Sequence, residues 1–233
     1  MSFTPHGLRS DYDSLHATAS RQRVILIAHG SPDERHAAIV GRIADRMSAL
    51  TGIPTEPCYL EHNLPRITQR LAEPDTANAT VLPLLLTAGY HWREDIPPVV
   101  AKYGHRIRLI PPPPLETFAE EIASEVRHHC ASHVVVAFAG SRSPDFRDRA
   151  MRLQTEVQRR LGSQISVVIA LNPAEAGQLA TPGSLVIPLV VAPGILGDRI
   201  TEFSQAVGAE VTPPIGVTPG FAKSLVAYLA TTV

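Results

Sequence analysis

Two histidines in this sequence of 233 residues stand just beyond runs of apolar residues. His29 follows the run Val24 to Ala28, and His91 follows the run Ala79 to Leu86 by way of the link Thr87 to Tyr90. Unbroken apolar runs predict parallel strands that are buried on both faces, and sheets of this kind place their ligand chemistry at the carboxyl ends of the strands. The alternative for His29 is a side chain that only hydrogen-bonds its own turn.

Two neutral imidazoles at adjacent strand ends can bind a divalent ion such as Fe²⁺, Co²⁺, Ni²⁺ or Zn²⁺, or act as bases. A closed structural metal site has four protein ligands. A pair of histidines is therefore an open, partial coordination sphere, which suits a metal ion that is handed on.

Strands and helices alternate along the chain, which is typical of α/β domains with parallel sheets. Apolar residues at helical spacing predict a first helix from Asp33 to Leu50, which Gly52 ends. The other elements predicted before residue 131 are a strand at Thr55–Leu60, a helix at Leu64–Leu71 with Pro65 in its first turn, a strand at Ala79–Leu86, a helix at Arg93–Lys102, a strand at Arg106–Ile110 and a helix at Leu115–Cys130.

The same order of elements begins again at Val134, and matching residues recur in order. Gly30 and Gly140 stand 110 residues apart, Pro65 and Pro173 108, Pro83 and Pro188 105, and the pairs Asp95–Asp198 and Phe118–Phe221 103. A steadily falling offset is expected of a duplicated unit with small deletions in its second copy. The predicted fold is α/β, with a flexible tail at residues 1–21 and two tandem domains at residues 22–131 and 132–233, each a small parallel sheet flanked by helices.

The two copies differ at the histidines. Ala139 stands in the second copy where the first has His29, and no histidine occurs from Ala192 to Ile200, where a counterpart of His91 would fall. The joint absence favours one functional site per chain.

Composition excludes several classes of protein. The net charge of −1 gives no sign of nucleic-acid binding, no run approaches the roughly 18 apolar residues of a membrane span, and the polar N-terminus has no signal-peptide pattern. Two cysteines, Cys58 and Cys130, form no disulfide framework. A cytoplasmic protein is expected.

Several motifs together resemble the class II chelatases of the CbiX/SirB type, in the long two-domain form. The residues that carry the resemblance are Leu26-Ile27-Ala28-His29-Gly30-Ser31, then Leu60-Glu61 with Pro65, then Val81-Leu82-Pro83-Leu84-Leu85-Leu86-Thr87-Ala88-Gly89-Tyr90-His91 and Asp95-Ile96-Pro97. The resemblance implies insertion of Fe²⁺ or Co²⁺ into sirohydrochlorin, in siroheme or cobalamin biosynthesis. Of the two ions, Fe²⁺ is slightly favoured. It also implies that the second domain is a degenerate copy and that the active cleft lies between the domains.

The family's metal-binding histidines correspond to His29 and His91, and its acidic residue corresponds to Glu61. No cofactor beyond the substrate metal ion is implied, the substrate partner is a tetrapyrrole, and a monomer is expected because the duplication supplies both walls of the cleft. Sirohydrochlorin is a polycarboxylate, so side chains that can donate hydrogen bonds are expected around it. The candidates are Ser31, Tyr90, Arg93 and Arg142.

Other residues receive plainer interpretations. His62 stands beside Glu61 and is an alternative third ligand, and Asp95 is expected to cap a helix. The remaining histidines are expected to be solvated or to cap helices; they are His36, His105, His128, His129 and His133.

Two other functions remain open from the sequence. One is a non-catalytic, two-lobed binding protein for a metal or tetrapyrrole, such as a metallochaperone. The other is a metal-dependent hydrolase, which would need more ligands than His29, His91 and Glu61 readily provide.

Overall fold

The computed structural model describes residues 22–87, 89 and 91–232, without the side chains of His91 and His105. The predicted tail at residues 1–21 lies outside the described residues. The described strands are β1 Val24–Ala28, β2 Thr55–Tyr59, β3 Ala79–Pro83, β4 Ile107–Leu109, β5 His133–Ala137, β6 Ser166–Ala170, β7 Leu185–Pro188 and β8 Glu210–Val211. The described α-helices are α1 Glu34–Thr51, α2 Ile67–Ala72, α3 Ile96–Ala101, α4 Ala119–His129, α5 Phe146–Leu161, α6 Pro173–Leu179, α7 Ile195–Gln205 and α8 Pro219–Thr232.

The strands form two parallel sheets with the same order, β2-β1-β3-β4 and β6-β5-β7-β8. In the first sheet Val24 is in register with Thr55 and Thr80, and in the second Val134 is in register with Val167 and Leu185. The predicted α/β fold of two tandem units is confirmed. We call the elements from β1 to α4 the first unit and those from β5 to α8 the second unit.

Alternate residues of the central strands face different layers, because side chains alternate across a strand. Val24 and Leu26 belong to a central apolar cluster, which also takes in Val134, Val136 and residues of α1, α4, α5 and α8. Ile25 and Ile27 pack in an outer cluster with α2 and α3, while the outer cluster of the second sheet involves α6 and α7. One apolar core is therefore shared by both units.

The last helix of each unit packs against the first helix of the other, α4 against α5 and α8 against α1. Phe118 and Phe221, which the repeat pairs in sequence, stack on one another with ring centroids 4.7 Å apart and planes inclined by 9°. Because equivalent residues of a symmetric pair can touch only near the symmetry axis, these rings mark the pseudo-two-fold axis between the units.

Local sequence explains the first helix well. The Asp33 carboxylate accepts a hydrogen bond from Arg35 N and caps α1, satisfying an N–H that has no partner within the helix. Gly52 ends α1 in the left-handed conformation, with φ +71°.

The prediction for Pro65 was wrong. The helix begins only at Ile67, after a cis Leu64–Pro65 peptide bond. The Pro65 carbonyl accepts a hydrogen bond from Tyr59 N, so Pro65 lies beside the end of β2 and not in a helical turn.

Other boundaries also differ from the predicted ones. β3 ends at Pro83 and not at Leu86. A π-helical turn, His91–Asp95, precedes α3, and a 3₁₀ turn, Leu115–Phe118, precedes α4. In the described residues no helix is both long enough and apolar enough to cross a membrane.

Candidate functional site

The order of the first sheet determines which chain segments meet at its carboxyl edge. β1 lies between β2 and β3, so the segments that follow these three strands are neighbours. His29 lies in the segment after β1, Glu61 in the segment after β2 and His91 in the segment after β3. Residues that are 32 and 30 positions apart in the chain thus have their backbones at one edge of the sheet, where α/β proteins bind ligands.

His29 follows β1 directly and is partly buried. Its Nδ1 lies 3.1 Å from the carbonyl oxygen of Gly30. Because a carbonyl can only accept a hydrogen bond, this contact favours the tautomer that is protonated on Nδ1 and carries its lone pair on Nε2. A neutral imidazole oriented in this way has the form that binds metal ions.

Gly30 is required by the close approach of two segments. Its φ is +93°, and a Cβ built on it would lie 1.8 Å from the carbonyl oxygen of Glu61. The amide of Glu61 donates to the carbonyl of His29 at 2.8 Å, and Ser31 N donates to the Asn63 side-chain oxygen at 2.8 Å. The backbone of Glu61 is therefore held directly against the turn that carries His29.

The side chains of Glu61 and His62 are exposed, at 53% and 43%. Glu61 Oε2 lies 3.6 Å from His62 Nε2, so the two form a weak ion pair when the imidazole is protonated. An exposed carboxylate at this edge can accept a proton from a bound ligand.

His36 has a different environment from the solvated one that the sequence predicts. Its side chain is partly buried on α1, its Nδ1 is buried without a hydrogen-bond partner, and its ring lies 6.4 Å from that of Tyr59. Burial, and after it the nearby charge of His29, lowers the pKa of His36, while Asp33 acts in the opposite direction. The signal available in the sequence was its position one helical turn after the Asp33 cap.

The segment after β3 is only partly described. Tyr90 and the side chain of His91 lie outside the described residues, although the backbone of His91 begins the π-helical turn. Among the side chains that the structure does describe, no group of three or more His, Cys, Asp and Glu could hold a metal ion. The pairing of His29 with His91 stays a prediction.

The carboxyl edges of the two sheets adjoin one another. Arg35, after β1, pairs with Asp198, after β7, at 2.6 Å, and Arg93, after β3, pairs with Asp145, after β5, at 3.2 Å. The two ion pairs connect the same ends of the two sheets. The second unit therefore contacts the first at the edge where His29 is found.

The other predicted substrate-binding residues lie at this same junction. Ser31 Oγ accepts a hydrogen bond from Asp33 N at 3.1 Å, and Arg142 is exposed in the turn after β5. Gly140 repeats the left-handed conformation of Gly30, with φ +101°. The second unit thus keeps the turn of the first but carries Ala139 in place of the histidine.

Two α/β units whose sheets share one strand order, with a histidine after β1 and a carboxylate after β2 of the first, are consistent with two tandem chelatase-like domains. Residues 23–133 match the CbiX family model. This part of the chain is similar to the CbiX family of class II chelatases. No curated protein matches the chain.

Solved structures share the fold over most of the chain. The sirohydrochlorin chelatase SirB from Bacillus subtilis subspecies spizizenii, in complex with cobalt, matches 89% of this chain and 93% of its own, with 20% identity and a TM-score of 0.72. SirB from Bacillus subtilis with Fe³⁺ covers 90% of this chain and 94% of its own, with 19% identity and a TM-score of 0.71. CbiX, the terminal enzyme for biosynthesis of siroheme in denitrifying bacteria, covers 91% and 99%, with 19% identity and a TM-score of 0.64. At such low identities the matches establish a common fold.

Proposed function

We propose that this protein is a metal chelatase that inserts Fe²⁺ or Co²⁺ into sirohydrochlorin. The observation that carries the proposal is the junction of His29 and Glu61 at the carboxyl edge of the sheet, beside the segment of His91, in the unit that matches the CbiX family. SirB and CbiX, whose fold the chain shares, support the same substrate class.

The reaction requires two tasks of the protein. The incoming ion must lose water, and the two inner N–H groups of the tetrapyrrole must lose their protons. His29, with its lone pair on Nε2, and His91 hold the ion, and the exposed Glu61 carboxylate accepts a proton. The metal ion is a substrate, and the proposal includes no further cofactor.

The second unit supplies the facing wall of the site. A large planar ring bound between two walls is shielded from water, which strengthens its polar contacts. The hydroxyl of Ser31 and the guanidinium of the exposed Arg142 are proposed to bind substrate carboxylates. Tyr90 is proposed as a further contact. Arg93 can take this role only by sharing or leaving Asp145.

The direct test is steady-state conversion of sirohydrochlorin with Fe²⁺ and with Co²⁺ separately, followed by absorbance. His29→Ala and His91→Ala should each reduce kcat by about 100-fold or more, with the free energy of unfolding changed by no more than about 1–2 kcal/mol. His128→Ala, on the exposed face of α4, is the matched control and should retain wild-type turnover. Near-normal turnover in either site variant would refute the assignment.

The assay also separates catalysis from binding. A chelatase converts many equivalents of substrate per chain, whereas a metallochaperone or tetrapyrrole carrier changes the absorbance once per chain. The ratio of the two metal rates assigns the protein to iron or cobalt insertion, and thereby to siroheme or cobalamin synthesis. We further propose that the protein acts as a cytoplasmic monomer, supported by its free cysteines and by the two units in one chain.

A further inference from the structure

Arg149 extends from the second unit to the segment that leads to His91. It lies on α5 and is partly buried. Its Nη1 donates to the carbonyl of Thr87 at 2.9 Å, and its Nη2 donates to the carbonyl of Leu86 at 3.3 Å. Burial lowers the pKa of this guanidinium, partly offset by the charges of Asp145 and Glu116. An arginine is thus withdrawn from water to hold two main-chain carbonyls.

Leu86 and Thr87, which carry these two carbonyls, lie beyond the end of β3. β3 ends at Pro83, and the hydrogen bond from Leu84 N to Ile27 O joins the next residue to β1. The guanidinium of Arg149 therefore donates to two carbonyls that lie beyond the strand. Hydrogen bonds from ionised groups are stronger than those between neutral groups. Thr87 lies four positions before His91.

The segment between β5 and α5 of the second unit also contacts the chain beyond Thr87. A Cβ built on Gly89 would lie 3.8 Å from Ser141 Oγ, and Asp145 pairs with Arg93 at 3.2 Å. Asp145 is itself held by the hydroxyl of Ser143, whose hydrogen bond lowers the pKa of the carboxyl. This part of the second unit thus contacts Leu86 and Thr87 before His91 and Arg93 after it.

The duplication shows that the scaffold does not require this arginine. The buried residues of α5, Ala150, Leu153 and Val157, match Val40, Ile43 and Met47 of α1 at an offset of 110 residues. At the same offset Arg149 corresponds to Ile39, a core residue that is 5% exposed. A charged group stands where the first unit packs an aliphatic one.

We propose that Arg149 is a positioning residue that fixes the backbone before His91, while Asp145 holds the side chain of Arg93 after it. This role rests on the proposed function, because it matters for catalysis only if His91 handles the metal ion. In this arrangement the second unit, which lacks the histidines, determines where the first unit presents His91. The separation of reacting groups sets the rate strongly, so a small displacement of His91 is costly.

The variants Arg149→Met and Arg149→Lys test the proposal, with Arg152→Met as the matched control. Arg152 lies one turn along α5, is exposed, and pairs with Glu116 at 3.0 Å. Methionine keeps the aliphatic stem but removes the donors, and lysine keeps the charge without the two-pronged geometry. Each variant is first shown to unfold in a single thermal transition.

The first measurement is amide hydrogen exchange of the peptide that covers residues 86–93, in full-length protein without added metal. Exchange should accelerate by about tenfold or more in Arg149→Met, less in Arg149→Lys, and not in Arg152→Met. This measurement does not depend on chelatase activity. Unchanged exchange in Arg149→Met would overturn the proposal even if the proposed function is correct.

The second measurement is cobalt insertion into sirohydrochlorin. In Arg149→Met, displacement of His91 should lower kcat by about 10-fold to 100-fold while leaving the KM for sirohydrochlorin within about twofold. Arg149→Lys should recover part of the kcat. Faster exchange with an unchanged kcat, or an equal loss in Arg152→Met, would overturn the catalytic part. A wild-type protein without turnover would instead refute the proposed function.

Discussion

Gly30 and Gly140 give single-residue tests of how the site is held. Both have positive φ, but a Cβ on Gly30 would lie 1.8 Å from Glu61 O, whereas on Gly140 the nearest atom is Leu171 O at 3.9 Å. Gly140→Ala should therefore cost about 1–2 kcal/mol of unfolding free energy, from backbone strain alone. Gly30→Ala should cost at least about 2 kcal/mol more, since Glu61 must also move.

Urea unfolding of the two variants measures the difference. Equal losses would show that the turn after β1 is free to relax away from Glu61. Because Glu61 N donates a hydrogen bond to His29 O, displacement of this turn should also lower the proposed chelatase activity in Gly30→Ala.

The two cysteines should differ sharply in reactivity. Cys58 is fully buried in β2, and burial raises the pKa of its thiol to about 12, whereas Cys130 is exposed at the end of α4. Since the thiolate is the reactive form, native protein should react with about one equivalent of a thiol reagent at pH 8, and urea-unfolded protein with about two. Cys130→Ser should abolish the native reaction, and a second fast thiol in native protein would contradict the burial of Cys58.

His36 should make the apoprotein less stable in mild acid. Its pKa in the folded protein is lowered, so below about pH 6.5 the unfolded chain binds a proton that the folded chain excludes. The free energy of unfolding should therefore fall as the pH falls from about 7 towards the lowered pKa. The groups that act on His36 are His29, which lowers its pKa, and Asp33, which raises it.

Urea unfolding at pH 7.5 and pH 5.5 measures this dependence. His36→Gln cannot titrate, so its stability should fall less between the two pH values than that of the wild type. His128→Gln, at an exposed position, is the control and should retain the wild-type dependence. If the free energy of unfolding of His36→Gln fell as much as that of the wild type, groups other than His36 would be responsible for the pH dependence.

At the level of elements, the sequence predicted those parts whose causes are local. The apolar run of β1 and the glycine at the end of α1 both act within a few residues, and the structure has both as expected. Helix α2 begins later than predicted because the Pro65 carbonyl accepts a hydrogen bond from Tyr59 N, and Tyr59 belongs to a different element, β2. Local patterns do not show such pairings.

The same distinction applies to the candidate site. The position of His29 at a strand end follows from its own segment, but the contact of Glu61 with that turn requires the order of the sheet. The ring of His36 lies beside that of Tyr59 in another element, and the contact of Arg149 with Thr87 depends on how the two units meet. These residues gain their roles from tertiary contacts, which no spacing in the chain reports.

The stacked rings of Phe118 and Phe221 test how strongly the two units depend on one another. Both side chains are fully buried, so replacing either by alanine should cost about 3–5 kcal/mol of unfolding free energy. Because the rings contact each other, the double variant should lose about 1 kcal/mol less than the sum. A double-mutant cycle in urea measures this coupling, and strict additivity would show that the rings act independently.

For the whole molecule, the shared central cluster predicts that one unit does not suffice. In a chain of residues 1–131 alone, the apolar face of α1 would lose its contact with α8, and α4 would lose α5. Such a fragment should associate into a homodimer that rebuilds both contacts, or lose its fold and the proposed affinity for sirohydrochlorin. Light scattering after gel filtration, with the chelatase assay, measures both. A folded, fully active monomer would contradict the shared core.

The last helix of each unit packs against the first helix of the other, and this arrangement has a consequence for the order in which the chain folds during synthesis. Helix α1 is made early, yet its partner α8 is the last described element. The nascent first unit must therefore leave the ribosome with part of its apolar surface uncovered, and that surface stays open until residues 219–232 have been translated. Slow translation of the second unit would lengthen the period in which a chaperone, or another copy of the same chain, competes for the place of α8.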